Sequence, residues 1–203
     1  MSPLRAFIAL DLPPRLQRSI REAAARLRSG IESLVRWSPI ENMHLTLKFL
    51  GEIAPDRVDL LTPMLRTEAD LCAPFEIRMA ALGAFPSLKR ARVIILGIQA
   101  PGGLGALARG IESACSRLGF APERRGFHPH LTLGRVRENL TTGEGLKLRQ
   151  ALEAITIDLP GMGRVDSVQL YKSDLKPAGA VYTRLFSAPF NKSLRAKPSN
   201  PPA

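Results

Sequence analysis

Apolar and polar residues alternate along two well-separated stretches, Met43 to Leu50 and His128 to Val136, the period-two pattern of strands with one face buried and one open. The same alternation, enriched in β-branched and aromatic residues, predicts strands over Arg5 to Leu10, Leu34 to Trp37, Phe75 to Phe85, Arg92 to Ile98, Val165 to Lys172 and Ala180 to Ser187. Between them the period lengthens to that of helices. Pro13-Pro14 opens one that runs to Ser29, where Gly30 stops it, and others span about Pro55 to Leu71, Gly103 to Leu118 and Leu146 to Ile155. The polar stretches Pro86 to Arg90 and Asp174 to Gly179 read as turns between paired strands.

Strands that follow one another through short turns pair antiparallel, so the expected class is α+β, with helices covering the outer faces of antiparallel sheets. The two alternating stretches fall in opposite halves of the chain, which makes two lobes around a central cleft the economical arrangement. A single bilobal domain is expected over residues 1–190. The remaining Asn191 to Ala203 holds three prolines and three basic residues and reads as a flexible tail.

Both stretches contain the tetrapeptide His-Leu-Thr-Leu, at His44 to Leu47 and His130 to Leu133, which takes two of the three histidines in the chain. In a strand, His44 and Thr46 share one face, as do His130 and Thr132, while the leucines point to a core. A lone histidine on a strand is ordinarily a satisfied surface residue, and a lone threonine is ordinarily there for packing. The pair changes that reading. An imidazole titrates near neutral pH, so facing strands would let one histidine take a proton while the other gives one, with hydroxyls beside them to hold an anion. Phosphoryl chemistry fits this set of groups.

The flanks add candidates. Lys48 shares the parity of His44 and Thr46, so it either reaches the same anion or is a solvated lysine at the strand's end. Arg135 has the opposite parity to His130, so it either makes a surface salt bridge or, if Gly134 marks a bulge, turns its guanidinium towards the cleft, where it would suit a phosphate. His128 shares the parity of His130 and makes a three-histidine metal site conceivable, yet no Asp, Glu or Cys cluster accompanies it, and no metal or other cofactor is expected. Trp37, Phe7, Tyr171 and Tyr182 could each stack a base or simply pack. Gly103-Leu-Gly105 superficially matches a dinucleotide-binding fingerprint, but no second parallel strand ending in an acidic residue follows, so a strand-to-helix turn is expected there.

Lys and Arg number 29 against 18 Asp and Glu, a net charge of +11, which favours an acidic partner. RNA or DNA ranks ahead of a membrane surface, because no basic amphipathic helix with bulky apolar anchors is evident. Cys72 and Cys115 stand far apart and outside any CxxC pattern, so both are expected reduced and buried. No continuous apolar stretch suggests a leader or a membrane span, and the expected location is cytoplasmic.

The segments His44-Leu-Thr-Leu-Lys-Phe-Leu-Gly51 and Phe127-His-Pro-His-Leu-Thr-Leu-Gly-Arg135, with Arg5-Ala-Phe-Ile-Ala-Leu-Asp-Leu-Pro13 and Leu170-Tyr-Lys-Ser173, resemble the two-histidine phosphoesterase superfamily. Within it the chain is similar to the RNA 2',3'-cyclic phosphodiesterases, also called 2'-5' RNA ligases. Gly134 departs from the alanine or other small apolar residue more often found there. The resemblance implies two lobes related by an approximate twofold axis, and metal-independent hydrolysis of a terminal 2',3'-cyclic phosphate to a 2'-phosphate. It implies His44 as proton donor to the departing O3', His130 as proton acceptor from water, and Thr46 and Thr132 as phosphate ligands. Reversible 2'-5' ligation and a non-catalytic RNA-end binding module are the alternatives. The implied partner is an RNA or oligonucleotide with a cyclic phosphate end, acted on by a monomer.

Overall fold

The computed structural model describes residues 2–100, 102–154, 162–177 and 179–194. The strands are β1 (Leu4–Asp11), β2 (Val35–Trp37), β3 (His44–Ile53), β4 (Phe75–Phe85), β5 (Val93–Gln99), β6 (His130–Val136), β7 (Met162–Val165), β8 (Ser167–Lys176) and β9 (Gly179–Pro189). The helices are α1 (Pro14–Arg28), α2 (Arg57–Asp70), α3 (Gly103–Arg117) and α4 (Thr142–Ala154). In α1 the helical period sets Leu16, Ile20, Ala23, Ala24 and Leu27 on one buried face, and Pro14 occupies the first turn, where its missing N–H costs nothing.

β3, β1, β8 and β9 form a four-stranded sheet in that order, and β2, β6, β5, β4 and β7 form a five-stranded one. Every strand pairing is antiparallel, as expected from the short turns. With β2 set aside, the two orders correspond strand by strand: β3 with β6, β1 with β5, β8 with β4, and β9 with β7. Helices α2 and α3 pack on each other and against β8, β9 and β3, while α1 lies against β7. One continuous core joins Ile8, Leu10 and Leu45 of the first sheet to Ile94, Leu96 and Leu131 of the second. The α+β class and its two antiparallel sheets are therefore as the sequence pattern predicts. Among the described residues no helix is long and apolar enough to cross a membrane, and Cys72 and Cys115 are both free and buried.

Three boundaries differ from expectation, each for a local reason. α4 starts earlier than Leu146 because Thr141 and Glu144 form a reciprocal cap: Thr141 N–H donates to the Glu144 carboxylate at 2.8 Å, and Glu144 N–H donates to Thr141 Oγ1 at 3.2 Å. The strand expected from Val165 divides at Asp166, so that β7 pairs with β4 in one sheet and β8 with β1 in the other. The hairpin of β8 and β9 is also longer than expected, its ladder continuing to Lys176 opposite Gly179. Ile155 and residues 195–203 of the expected tail lie outside the described residues.

β2 explains the glycine that departs from the family pattern. It pairs with β6, setting Trp37 opposite Gly134, and a Cβ at Gly134 would lie 2.6 Å from Val35 Cγ1 and 3.1 Å from the Arg36 carbonyl oxygen. No side chain fits without moving β2. Gly134→Ala should therefore destabilise the protein by about 2 kcal/mol, the usual cost of overpacking a close approach. Urea unfolding would measure it, and an unchanged midpoint would contradict this account of β2.

Candidate active site

The two histidine strands share more than a tetrapeptide. From each histidine onwards the seven residues repeat one burial pattern: partly exposed, buried, partly exposed, buried, buried, exposed, partly exposed. Two successive buried residues break the period of two. The ladder shows why, since Ile8 pairs with Lys48 and Ala9 with Thr46, leaving Leu47 as an extra residue, while Ile94 pairs with Gly134 and Ile95 with Thr132, leaving Leu133 extra. Both motifs thus carry a β-bulge at the second leucine, and the faces swap beyond it.

In β6 the swap brings Arg135 onto the face of His130 and Thr132. These three stand opposite Val93, Gly97 and Ile95 of β5, whose alternate neighbours Ile94, Leu96 and Ile98 are buried in the core. In β3 the corresponding face holds His44, Thr46 and Phe49, opposite Asp11, Ala9 and Phe7 of β1. Phe49 is 63% exposed, yet its ring lies 6.1 Å from that of Phe7, which stacks on His44 at 4.5 Å. It is therefore an open aromatic face beside Phe7, on the far side of the bulge from His44.

Each imidazole is held in the same way. His44 Nδ1 lies 2.9 Å from the Asn42 carbonyl oxygen, and His130 Nδ1 lies 2.6 Å from the His128 carbonyl oxygen, two residues earlier in both cases. A carbonyl only accepts, so Nδ1 carries the proton of that bond, and the proton-exchanging edge of each ring is Nε2. Aromatic rings set the ring planes: Tyr182 meets His44 edge-on at 5.1 Å, and Phe85 meets His130 edge-on at 5.0 Å. β3 and β6, which carry the two motifs, pack against each other. Burial raises the Tyr182 hydroxyl, and the Arg135 and Arg5 charges act against it.

The twofold relation breaks where chemistry would need it to. Asp11 stands opposite His44, whereas Gly97 takes the matching position opposite His130. The Asp11 carboxylate accepts a 2.6 Å hydrogen bond from the Tyr171 hydroxyl and lies 3.6 Å from the Arg184 guanidinium. With His44, Tyr182 and Glu41 these groups line a polar recess of about 240 Å³. Burial holds the His44 imidazole below its ordinary value, while its bond to the Asn42 carbonyl and the Asp11 charge act in the opposite direction.

The sequence profile of the family described as LigT like phosphoesterase matches residues 10–95 and again residues 96–182, one match to each half. The chain belongs to that family. An RNA 2',3'-cyclic phosphodiesterase of Methanothermobacter thermautotrophicus is 33% identical over 180 residues, covering 89% of this chain and 95% of the relative. One of Escherichia coli is 33% identical over 192 residues, covering 90% and 94%. The crystal structure of TT0787 of Thermus thermophilus superposes with a TM-score of 0.73 at 28% identity, covering 92% of this chain and 98% of that one. Escherichia coli LigT complexed with 3'-AMP superposes with a TM-score of 0.70 at 29% identity, covering 93% and 98%.

In this LigT-like chain the remaining candidates separate cleanly. Lys48 is neither a phosphate ligand nor solvated: the bulge at Leu47 turns it inward, 5% exposed, where its ammonium meets the Glu112 carboxylate at 2.9 Å and donates to the Ala121 carbonyl at 2.7 Å. His128 contributes its carbonyl, and among the described residues no three His, Cys, Asp or Glu side chains gather as a metal site would. Trp37 lies under the Arg28 guanidinium at 5.3 Å, on β2. Phe7, Tyr171 and Tyr182 form the wall around His44. Gly103 opens α3 after β5 of an antiparallel sheet, so the dinucleotide fingerprint is a strand-to-helix turn. Asp11 and Phe49 are the residues that sequence reasoning missed. Phe49 follows its histidine by five positions, as Arg135 does, which was a readable signal; the pairing of Asp11 with His44 was not.

Removing the Asp11 charge takes away one influence that raises the His44 pKa. In Asp11→Asn the imidazole titration followed by NMR should move to lower pH. A midpoint that stays fixed or rises would contradict the electrostatic role of Asp11.

Proposed function

We propose that this LigT-like protein hydrolyses RNA or oligonucleotide 2',3'-cyclic phosphate ends to 2'-phosphates, using the two imidazoles as general acid and base. The observation that carries the reading is the repeated bulged strand, which sets an Nδ1-anchored imidazole, a hydroxyl and one outward side chain on one face, twice, on two strands that pack together. In this scheme Nε2 of His130 takes a proton from water as its oxygen bonds to phosphorus. Nε2–H of His44 gives its proton to O3' as the P–O3' bond breaks, leaving the phosphate on O2'. The Thr46 and Thr132 hydroxyls and the Arg135 guanidinium hold the non-bridging oxygens, where charge builds in the transition state. No step requires a metal.

The departures from twofold symmetry support this division of labour. A proton donor benefits from a nearby anion, and Asp11 faces His44 while a glycine faces His130. Phe49 offers its face to the base of the terminal nucleotide, and Arg135, at the matching position, offers charge to its phosphate. The net charge of +11 supports a polyanionic RNA substrate. We infer a monomeric enzyme working on cytoplasmic RNA. With a ribose 5'-hydroxyl in place of water, the same proton transfers would form a 2'-5' linkage.

Because burial lowers the free His44 pKa, the general acid is lost early as pH rises, and the negative charge of bound substrate restores it. The alkaline limb of kcat should accordingly lie at higher pH than that of kcat/KM. His44→Ala and His130→Ala should each lower kcat/KM on a cyclic-phosphate oligonucleotide by about 10³-fold with unchanged thermal unfolding, while the wild-type protein keeps its activity in excess EDTA. Full turnover in either variant would contradict the proposal, as would activity abolished by EDTA and restored by zinc. Tight binding without product would favour a recognition module instead.

A further inference from the structure

Lys48 poses a question that the proposed reaction leaves open. Burying an ammonium is costly, and this one is compensated by a carboxylate and a carbonyl that both bear on one exposed segment. Glu112 Oε1, 2.9 Å from the Lys48 ammonium, also accepts the Glu123 N–H at 2.9 Å, and the carbonyl that Lys48 binds is that of Ala121. Every residue from Ala121 to His128 is exposed. At the far end of this segment the His128 carbonyl holds His130, and the Pro129 carbonyl accepts the Ile98 N–H at 2.9 Å. The segment is thus tied to β3 through Lys48 at its start and to β6 at its end. It leads directly into His130, so Arg125 and Arg124 stand five and six residues before that imidazole along the chain.

Along this strap stand Arg124 and Arg125, and none of the ion pairs among the described residues involves either of them. Its one carboxylate, Glu123, accepts the Arg125 backbone N–H at 3.1 Å. Neighbouring guanidiniums on a segment fixed at both ends form a pre-arranged binder of repeated phosphates, because little freedom is lost when the anion arrives.

We propose that Ala121–His128 is a phosphodiester-binding strap, in which Arg124 and Arg125 take backbone phosphates of the RNA strand leading to the cyclic end, with the buried Lys48–Glu112 pair keeping the strap in register with His130. This rests on the phosphodiesterase reading and extends it from the terminal nucleotide to the strand behind it. A mononucleotide substrate has no such phosphates, which provides the test. Turnover of adenosine 2',3'-cyclic phosphate is compared with that of a short single-stranded RNA ending in the same group, over a series of salt concentrations, in the full-length protein.

In Arg124→Ala/Arg125→Ala the ratio of oligonucleotide to mononucleotide kcat/KM should fall about tenfold, and the log–log salt slope for the oligonucleotide should flatten by about 1.4, the value for two single-strand phosphate contacts. Arg124→Lys/Arg125→Lys, which keeps the charges, should retain most of the slope. An unchanged ratio and slope in the alanine variant would overturn the strap, as would a wild-type protein that processes both substrates equally at every salt concentration. Either result leaves the phosphodiesterase reading standing. A wild-type protein that hydrolyses neither substrate removes both.

Discussion

A bulge just after the threonine of each histidine strand decides which side chains share the face of the imidazole. A regular strand beginning at His44 would send Lys48 outward and bury Phe49; one beginning at His130 would bury Arg135. The bulges at Leu47 and Leu133 reverse both assignments. They leave His and Thr on the open face, add one further outward residue, and place the fourth residue after each histidine in the interior. Lys48 uses that interior position to anchor a segment of the other motif, and Gly134 uses it to let β2 approach.

Repetition supplies the two imidazoles of the proposed acid/base pair, and departures from it set them in different surroundings. Two identical half-sites would leave no preference for which imidazole holds the proton. The two half-sites here differ, with Asp11 opposite His44 and Gly97 opposite His130. Around His44 the opposing influences are burial on one side and the Asp11 charge with the Asn42 carbonyl on the other. In the proposed scheme the substrate's own charge adds to the second group, so the acid would form when the phosphate is present to use it. In the proposed complex Phe49 and Arg135, one apolar face and one fork of donors, would take the base and the phosphate of one nucleotide.

Much of this was legible in the sequence because it depends on local period. The strand alternation at His44 and His130, the helical faces of α1 and α3 and the turn before β5 all follow from neighbours within a few residues. Arg135 was readable too, since Gly134 signals a bulge. The matching bulge at Leu47 carries no glycine, and counting parity through it put Lys48 on the wrong face. Asp11 could not be assigned to His44 from sequence, because strand register brings together residues far apart in the chain. Nor could the split at Asp166, where β7 and β8 leave for different sheets: both segments alternate correctly, and only the tertiary arrangement decides their partners. The cap at Thr141 was present in the sequence as a Thr-x-x-Glu pattern, obscured by Gly143 and Gly145 in a segment of weak amphipathicity.

The central claim is that two anchored imidazoles converge through Nε2 on one phosphate. The most direct measurement is a crystal structure of the protein with adenosine 2'-phosphate, the product that the proposed hydrolysis would leave. The account predicts the His44 Nε2 within about 3 Å of O3' and the His130 Nε2 within about 3 Å of an oxygen on the same nucleotide's phosphorus, with both Nδ1 bonds retained. A nucleotide seated in the cleft with only one imidazole in reach, or with either ring turned to present Nδ1, would contradict it.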